Sequence, residues 1–123
     1  MVKLYNNFDI EKKYKKAIIL IGNFDGVHLG HQKLFKLANT YKKKFNLKIG
    51  VLTFEPMPKM FFNKDIKNFR ISNINQKNII LKSLGVDFVI TQKFDKKFSK
   101  IKSDFFIKEI LSKKLDAKYI LSF

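Results

Sequence analysis

Cysteine is absent from this sequence. Disulfide frameworks and thiolate metal sites are thereby excluded, and a reducing interior is the natural home for such a chain. Tryptophan is absent too, and the histidines number only two, the prolines two and the glycines five. Arginine occurs once, at Arg70, among 26 basic residues. That scarcity weighs against a protein that reads base edges or phosphate backbones, a task that favours the bidentate guanidinium fork. Long apolar runs are missing as well. The longest, AIILI at 17–21, has the length of a strand and falls far short of a membrane span. The opening residues, MVKLYNNFDIEKKYKK, contain no apolar stretch of signal-peptide length. These absences predict a soluble, cytoplasmic protein with no membrane partner and no specific nucleic-acid partner.

What is present is enough for a core. The chain has 123 residues, 46% of them hydrophobic, and phenylalanine contributes 14. That is the size of one ordinary domain. The net charge is +16. Lysine, asparagine, isoleucine and phenylalanine are all abundant, the combined bias of an AT-rich coding sequence. The other reading is a polyanionic partner. A general positive field that draws in ATP-like anions is compatible with both.

Apolar runs alternate with helical patterns along the chain. AIILI (17–21) and KIGVLTF (48–54) read as buried strands, followed by VDFVIT (86–91) and KYILSF (118–123). Between the first two, Leu34, Ala38, Tyr41 and Phe45 recur at helical spacing and predict a helix over 29–45. NQKNIILKSLG (75–85) predicts a second helix with Asn75 as N-cap and Gly85 just past its end. SDFFIKEILSKKL (103–115) predicts a third, capped by Ser103, with Asp104 in its first turn. The two prolines of EPMPKMFFNK forbid regular structure there. Strands alternating with helices imply a parallel sheet with right-handed crossovers, an α/β doubly wound architecture. Ligands in such folds bind at the carboxyl ends of the strands.

One stretch at such an end concentrates the scarce residues. GNFDGVHLGH (22–31) follows the first buried strand and holds three glycines and both histidines. Gly22 ends the strand, Asp25-Gly26 is a turn pair, and Gly30 lets a ligand approach the start of the helix. A helix N-terminus offers unpaired N–H groups and a positive dipole end, which attract phosphate. His28 and His31, three apart, could add donors from one face of that first turn. Each piece alone has a plainer account: a turn, a capping aspartate, a structural histidine. A metal site is the competing reading of paired histidines, but no third ligand stands at a recognised spacing. Neither GxGxxG nor GxxxxGK[ST] occurs.

Taken together the pieces resemble a known family. HxGH at the start of a helix after the first strand is shared by the nucleotidyltransferase superfamily. The wider GNFDGVHLGHQ (22–32) resembles the first motif of the bacterial FAD synthetases, the bifunctional riboflavin kinase/FMN adenylyltransferases. LTFEPMP (52–58), FRIS (69–72), Lys77 and LKSLGVD (81–87) resemble further family segments, and KFDKKFS (93–99), FIKEIL (106–111) and AKYIL (117–121) continue in register. The resemblance extends from about Ala17 to the last residue.

The resemblance implies a Rossmann-like nucleotidyltransferase fold, truncated on its C-terminal side. It implies the reaction of ATP with FMN to give FAD and pyrophosphate, with Mg²⁺ accompanying the triphosphate and no metal site of the protein's own. His28 and His31 would hold the ATP phosphates and stabilise the transition state. Gly22, Asn23, Phe24, Asp25, Gly26 and Gly30 would shape the nucleotide and phosphate pocket. Phe54, Pro56 and Pro58 would line the flavin side, and Arg70 could meet phosphate, although a plain surface cation accounts for it equally well. Met57 stands where the family usually has histidine, and Ser122 where it usually has glycine. The family continues past this strand with elements that close over the phosphates and with a β-barrel riboflavin kinase domain. On that basis residues 1–123 are expected to be a partial adenylyltransferase domain without kinase activity, of low or no turnover alone. A separately encoded C-terminal half is one way such a chain would be completed. A nucleotide- or flavin-binding fragment without turnover, and a basic nucleic-acid-binding domain, are the alternatives.

Overall fold

A computed structural model describes residues 2–24, 29–55 and 74–122. Five strands form one parallel sheet: β1 (Lys3–Tyr5), β2 (Ile18–Ile21), β3 (Ile49–Glu55), β4 (Phe88–Lys93) and β5 (Tyr119–Ser122). Their order is β1-β4-β3-β2-β5. The helices are α1 (Leu29–Phe45), α2 (Ile74–Ser83), α3 (Lys96–Ser99) and α4, which begins α-helically at Ser103–Phe105 and continues as a π-helix over Phe106–Lys114. A 3₁₀ turn spans Lys12–Tyr14.

Both faces of the sheet are covered at its centre, which is why β2, β3 and the first half of β4 are largely apolar without polar alternation, while the edge strands β1 and β5 are partly exposed. Ile18 and Leu20 point with Ile49, Val51 and Val89 into one core, closed by Phe24, Phe35, Ala38 and Leu81. Ala17 and Ile19 point with Leu52, Phe88 and Ile90 into the other, closed by Leu111 and Leu115 of the α4 segment. Gly50 sits in β3 because the Phe88 ring lies across it: a Cβ there would stand 2.2 Å from Phe88 Cζ.

The predicted α/β parallel architecture is what the structure has, and the bounds of α1 agree with the sequence reading. The end of α2 agrees as well. Gly85 has φ +89°, its N–H donates to the Lys82 carbonyl at 3.0 Å, and the Val86 N–H donates to that of Leu81 at 3.1 Å. This is the paired arrangement of a Schellman cap.

Several details differ. The helix α2 starts at Ile74, so Asn75 lies in its first turn and is not its cap. The cap position of α4 is Lys102, with no side-chain bond, so Ser103 is its first residue instead. The buried line of α1 runs through Phe35 and Ala38, flanked by half-buried Leu34 and Tyr41, while Phe45 is exposed and stacks on Tyr119 at 5.8 Å. The strand β1 and the short helix α3 have no counterpart in the sequence reading. With three residues, two of them exposed, β1 offers no apolar run to detect.

Chain order fixes where a ligand belongs. From β2 the chain moves outward through β3 to β4, then crosses back to place β5 on the other side of β2. The reversal lies between β2 and β5, whose last residues, Ile21 and Ser122, are paired. In open parallel sheets the crevice at this switch point is where ligands bind.

Candidate functional site at the carboxyl ends of β2, β3 and β5

Gly22 and Asn23 leave β2 at the switch point. Phe24 follows with φ +54°, a left-handed conformation that is strained for a bulky side chain. Its ring is held by burial in the core, 5.2 Å from the Phe35 ring. It folds back so closely over Gly22 that a Cβ there would be 3.1 Å from it. The edge of the same ring meets His31 at 5.0 Å between centroids. Gly30 and His31 lie in the first turn of α1, where N–H groups lack intrahelical partners. So one buried phenylalanine ties the turn after β2 to the histidine at the helix start.

Asn23 is fixed from the other side. Its Oδ1 accepts from the Thr53 hydroxyl at 3.2 Å and from the Phe54 backbone N–H at 3.3 Å. Thr53 in turn accepts from the ammonium of Lys77, on α2, at 3.1 Å. Thr53 is 3% exposed and Lys77 6%, so this link is shielded from water. Thr53 shares its sheet face with Ile49 and Val51, the face that α1 covers.

The opposite face carries an apolar cavity of about 540 Å³ at the same strand ends. Ile21, Phe54 and Ser122 bring the strand ends to it, and Phe94, Phe98 and Phe106 form its aromatic wall. Phe54 meets Phe94 at 5.7 Å and Phe98 at 5.6 Å, and Phe98 meets Phe106 edge-on at 5.9 Å. Asp95 caps α3 between them, accepting from the Phe98 N–H at 2.8 Å. A wall of this kind suits a flat ring system.

Of the residues singled out in the sequence, the structure brings Gly22, Asn23, Phe24, Gly30, His31 and Phe54 to these strand ends. His28, Asp25, Gly26, Pro56, Pro58 and Arg70 lie outside the described residues, as does Met57. Phe94, Phe98 and Phe106, which the sequence reading did not single out, line the cavity. The spacing of two phenylalanines around Asp95, a cap residue, was the signal available. Among the described residues no three histidine, aspartate or glutamate side chains converge as a metal site. No described helix is long and apolar enough to cross a membrane.

Comparison with known proteins agrees with this arrangement. A bifunctional riboflavin kinase/FMN adenylyltransferase of Buchnera aphidicola (subsp. Schizaphis graminum) is 40% identical over 115 residues, covering 92% of this chain and 36% of the relative. That of Escherichia coli K12 is 36% identical over 104 residues, 85% of this chain and 33% of the relative. The chain thus spans about a third of the length of the curated relatives it matches. A crystal structure of a macrolide-efflux protein from Streptococcus pneumoniae aligns over 99% of this chain and 48% of its own, with TM-score 0.84 and 29% identity. A pantoate-beta-alanine ligase from Francisella tularensis shares the fold, with TM-score 0.53 at 21% identity over 94% of this chain and 48% of its own. The FAD synthetase family matches residues 10–122, and the chain belongs to that family.

Proposed function

We propose that this chain binds ATP and FMN and takes part in adenylyl transfer between them. An oxygen of the FMN phosphate attacks the α-phosphorus of ATP, the bond to the β-phosphate oxygen breaks, and FAD and pyrophosphate result. The observation that carries this reading is the two-sided site. A helix start with His31 and an anchored Asn23 lies on one side of the strand ends, and an aromatic cavity with Phe54 on the other. The first side suits phosphates and the second an isoalloxazine ring.

In this reading His31 and His28 donate to phosphate oxygens where negative charge grows, so no covalent enzyme intermediate is required. Gly22 makes room for the Phe24 ring and shapes the pocket with Gly26, and Gly30 lets the phosphates approach the backbone. Asp25 shapes the turn with Gly26. The Phe24 ring supports His31 from beneath, while Phe54, Pro56 and Pro58 hold the flavin and Arg70 meets phosphate. Mg²⁺ would accompany the triphosphate as part of the substrate and offset its charge. A C-terminal portion of the kind the longer relatives carry, whether on the same chain or on a separate one, would complete the enclosure.

Binding tests the reading directly. ATP affinity is measured by calorimetry and FMN affinity by quenching of flavin fluorescence. His31→Ala is expected to weaken ATP about tenfold with little change for FMN, and Phe54→Ala to do the reverse. Failure of the chain to bind either ligand would overturn the proposal. FAD formation, followed by chromatography, separates binding with turnover from binding alone.

A further inference from the structure

The buried link from α2 to the β2 turn has a polarity, and that polarity can be derived. An ammonium has three donors and no acceptor, so Thr53 Oγ1 must accept from Lys77 at 3.1 Å. The hydroxyl's own proton is then directed elsewhere, and the neighbour placed to receive it is Asn23 Oδ1 at 3.2 Å. The Phe54 N–H is also an obligatory donor, and it points at the same atom from 3.3 Å. One donor that cannot reverse, the Phe54 N–H, and one hydroxyl proton that Lys77 turns toward Asn23 thus agree on which end of the Asn23 carboxamide is oxygen. A flipped amide would set its N–H₂ group against the Phe54 N–H and take from the Thr53 proton its acceptor, inside a region where Thr53 and Lys77 are almost without solvent.

We propose that Lys77, acting through Thr53, is a positioning residue that locks Asn23 with its oxygen inward, so that the site presents the two Nδ2 donors to phosphate oxygens of the nucleotide. Asparagine is ambidextrous, equally able to offer donors or an acceptor. Here the ambiguity is removed from a distance, by a charge on a helix that need not touch the ligand itself. A locked donor pair favours an anion and disfavours a ligand group that needs an acceptor at this point. Lys77 therefore contributes to ligand choice and not only to the cohesion of the fold. The inference rests on the nucleotide-binding reading above and specifies how one of its residues is set.

The test is a double-mutant cycle on ATP affinity, with adenosine as the phosphate-free control. Asn23→Ala is expected to weaken ATP about tenfold and leave adenosine unchanged. Lys77→Met and Thr53→Val are each expected to weaken ATP three- to tenfold in the native background and to have no further effect in the Asn23→Ala background. Thr53→Ser keeps the hydroxyl and is expected to restore native affinity. The proposal is overturned if the Lys77 or Thr53 losses persist undiminished once Asn23 is alanine, since they would then act on the fold at large. It is also overturned if Thr53→Val binds ATP as the native chain does. Should Lys77→Met fail to fold, the Thr53→Val and Thr53→Ser pair carries the same decision. A native chain that binds no ATP overturns the nucleotide reading instead, a result distinct from intact binding that ignores Thr53.

Discussion

At Gly50 the absence of a side chain is a packing requirement set by one ring. Phe88 from β4 occupies the space a methyl group would need, approaching to 2.2 Å of the Cβ position. Gly50→Ala must push that ring out of a core where it is wholly buried. The expected cost is about 1–3 kcal/mol, seen as a lower urea midpoint with unchanged slope. A second residue-scale contact ties down the chain's N-terminal strand. The Tyr5 hydroxyl donates to Glu11 Oε2 at 2.6 Å and accepts from the Glu11 N–H. The bond from Tyr5 holds the Glu11 carboxyl below its ordinary value of 4.5. Burial first, then the bond to Glu11, raises the Tyr5 hydroxyl above its ordinary value of 10. The signs are opposite. The contribution of Glu11 is present above its ordinary value and disappears as pH falls through the acid range, whereas that of Tyr5 is present at neutral pH and disappears as pH rises beyond 10. Hydrogen-exchange protection of the Lys3 amide, bonded to the Asp87 carbonyl, should therefore drop at both extremes, and Tyr5→Phe should flatten both slopes.

Elements were legible where periodicity and end chemistry coincide. The run Ile18–Ile21 and the stop at Gly85 each state their structure locally, the first by being apolar throughout and the second because only glycine takes a positive φ without strain. The α4 segment was legible as a helix but not as a π-helix. Its inward residues Phe106 and Leu111, and Ile110 and Leu115, stand five apart, the step of i→i+5 bonding, yet in sequence they pass for an ordinary amphipathic pattern. The aromatic wall was hidden for a different reason. Phe94 precedes the short helix α3 and Phe98 lies within it, and their meeting with Phe54 and Phe106 depends on the crossover from β4 to β5, which no local pattern encodes. Of the proposed phosphate side, the glycine and histidine cluster was visible, whereas Lys77 stands 54 positions from Asn23 and meets it through Thr53 only once the sheet has formed. The cap of α3 gives the element-scale prediction. Asp95→Ala should cost about 1 kcal/mol and loosen Phe98, so flavin affinity falls while ATP affinity holds.

For the whole molecule the governing quantity is charge. A net +16 on 123 residues raises the local concentration of anions around the entire surface. Both proposed substrates are anions, so association rates for ATP should fall steeply between low and physiological salt, while dissociation rates change little. Stopped-flow mixing at several ionic strengths measures both, and a salt-independent association rate would contradict the argument. The same excess of lysine also sets the contrast within the site: among the described residues the other lysines lie outside the core, and Lys77 alone is buried.

The strand ends divide two environments that differ in polarity, with hydrogen-bonding groups on the α1 side and phenylalanine rings on the α4 side. The edge formed by β2 and β5 is therefore a ridge between a wet slope and a dry one. A purely hydrophilic molecule grips one slope, and a purely greasy one grips the other. Only a molecule that is itself half and half, long enough to straddle the crest, gains from both, and the crest is where its two halves join.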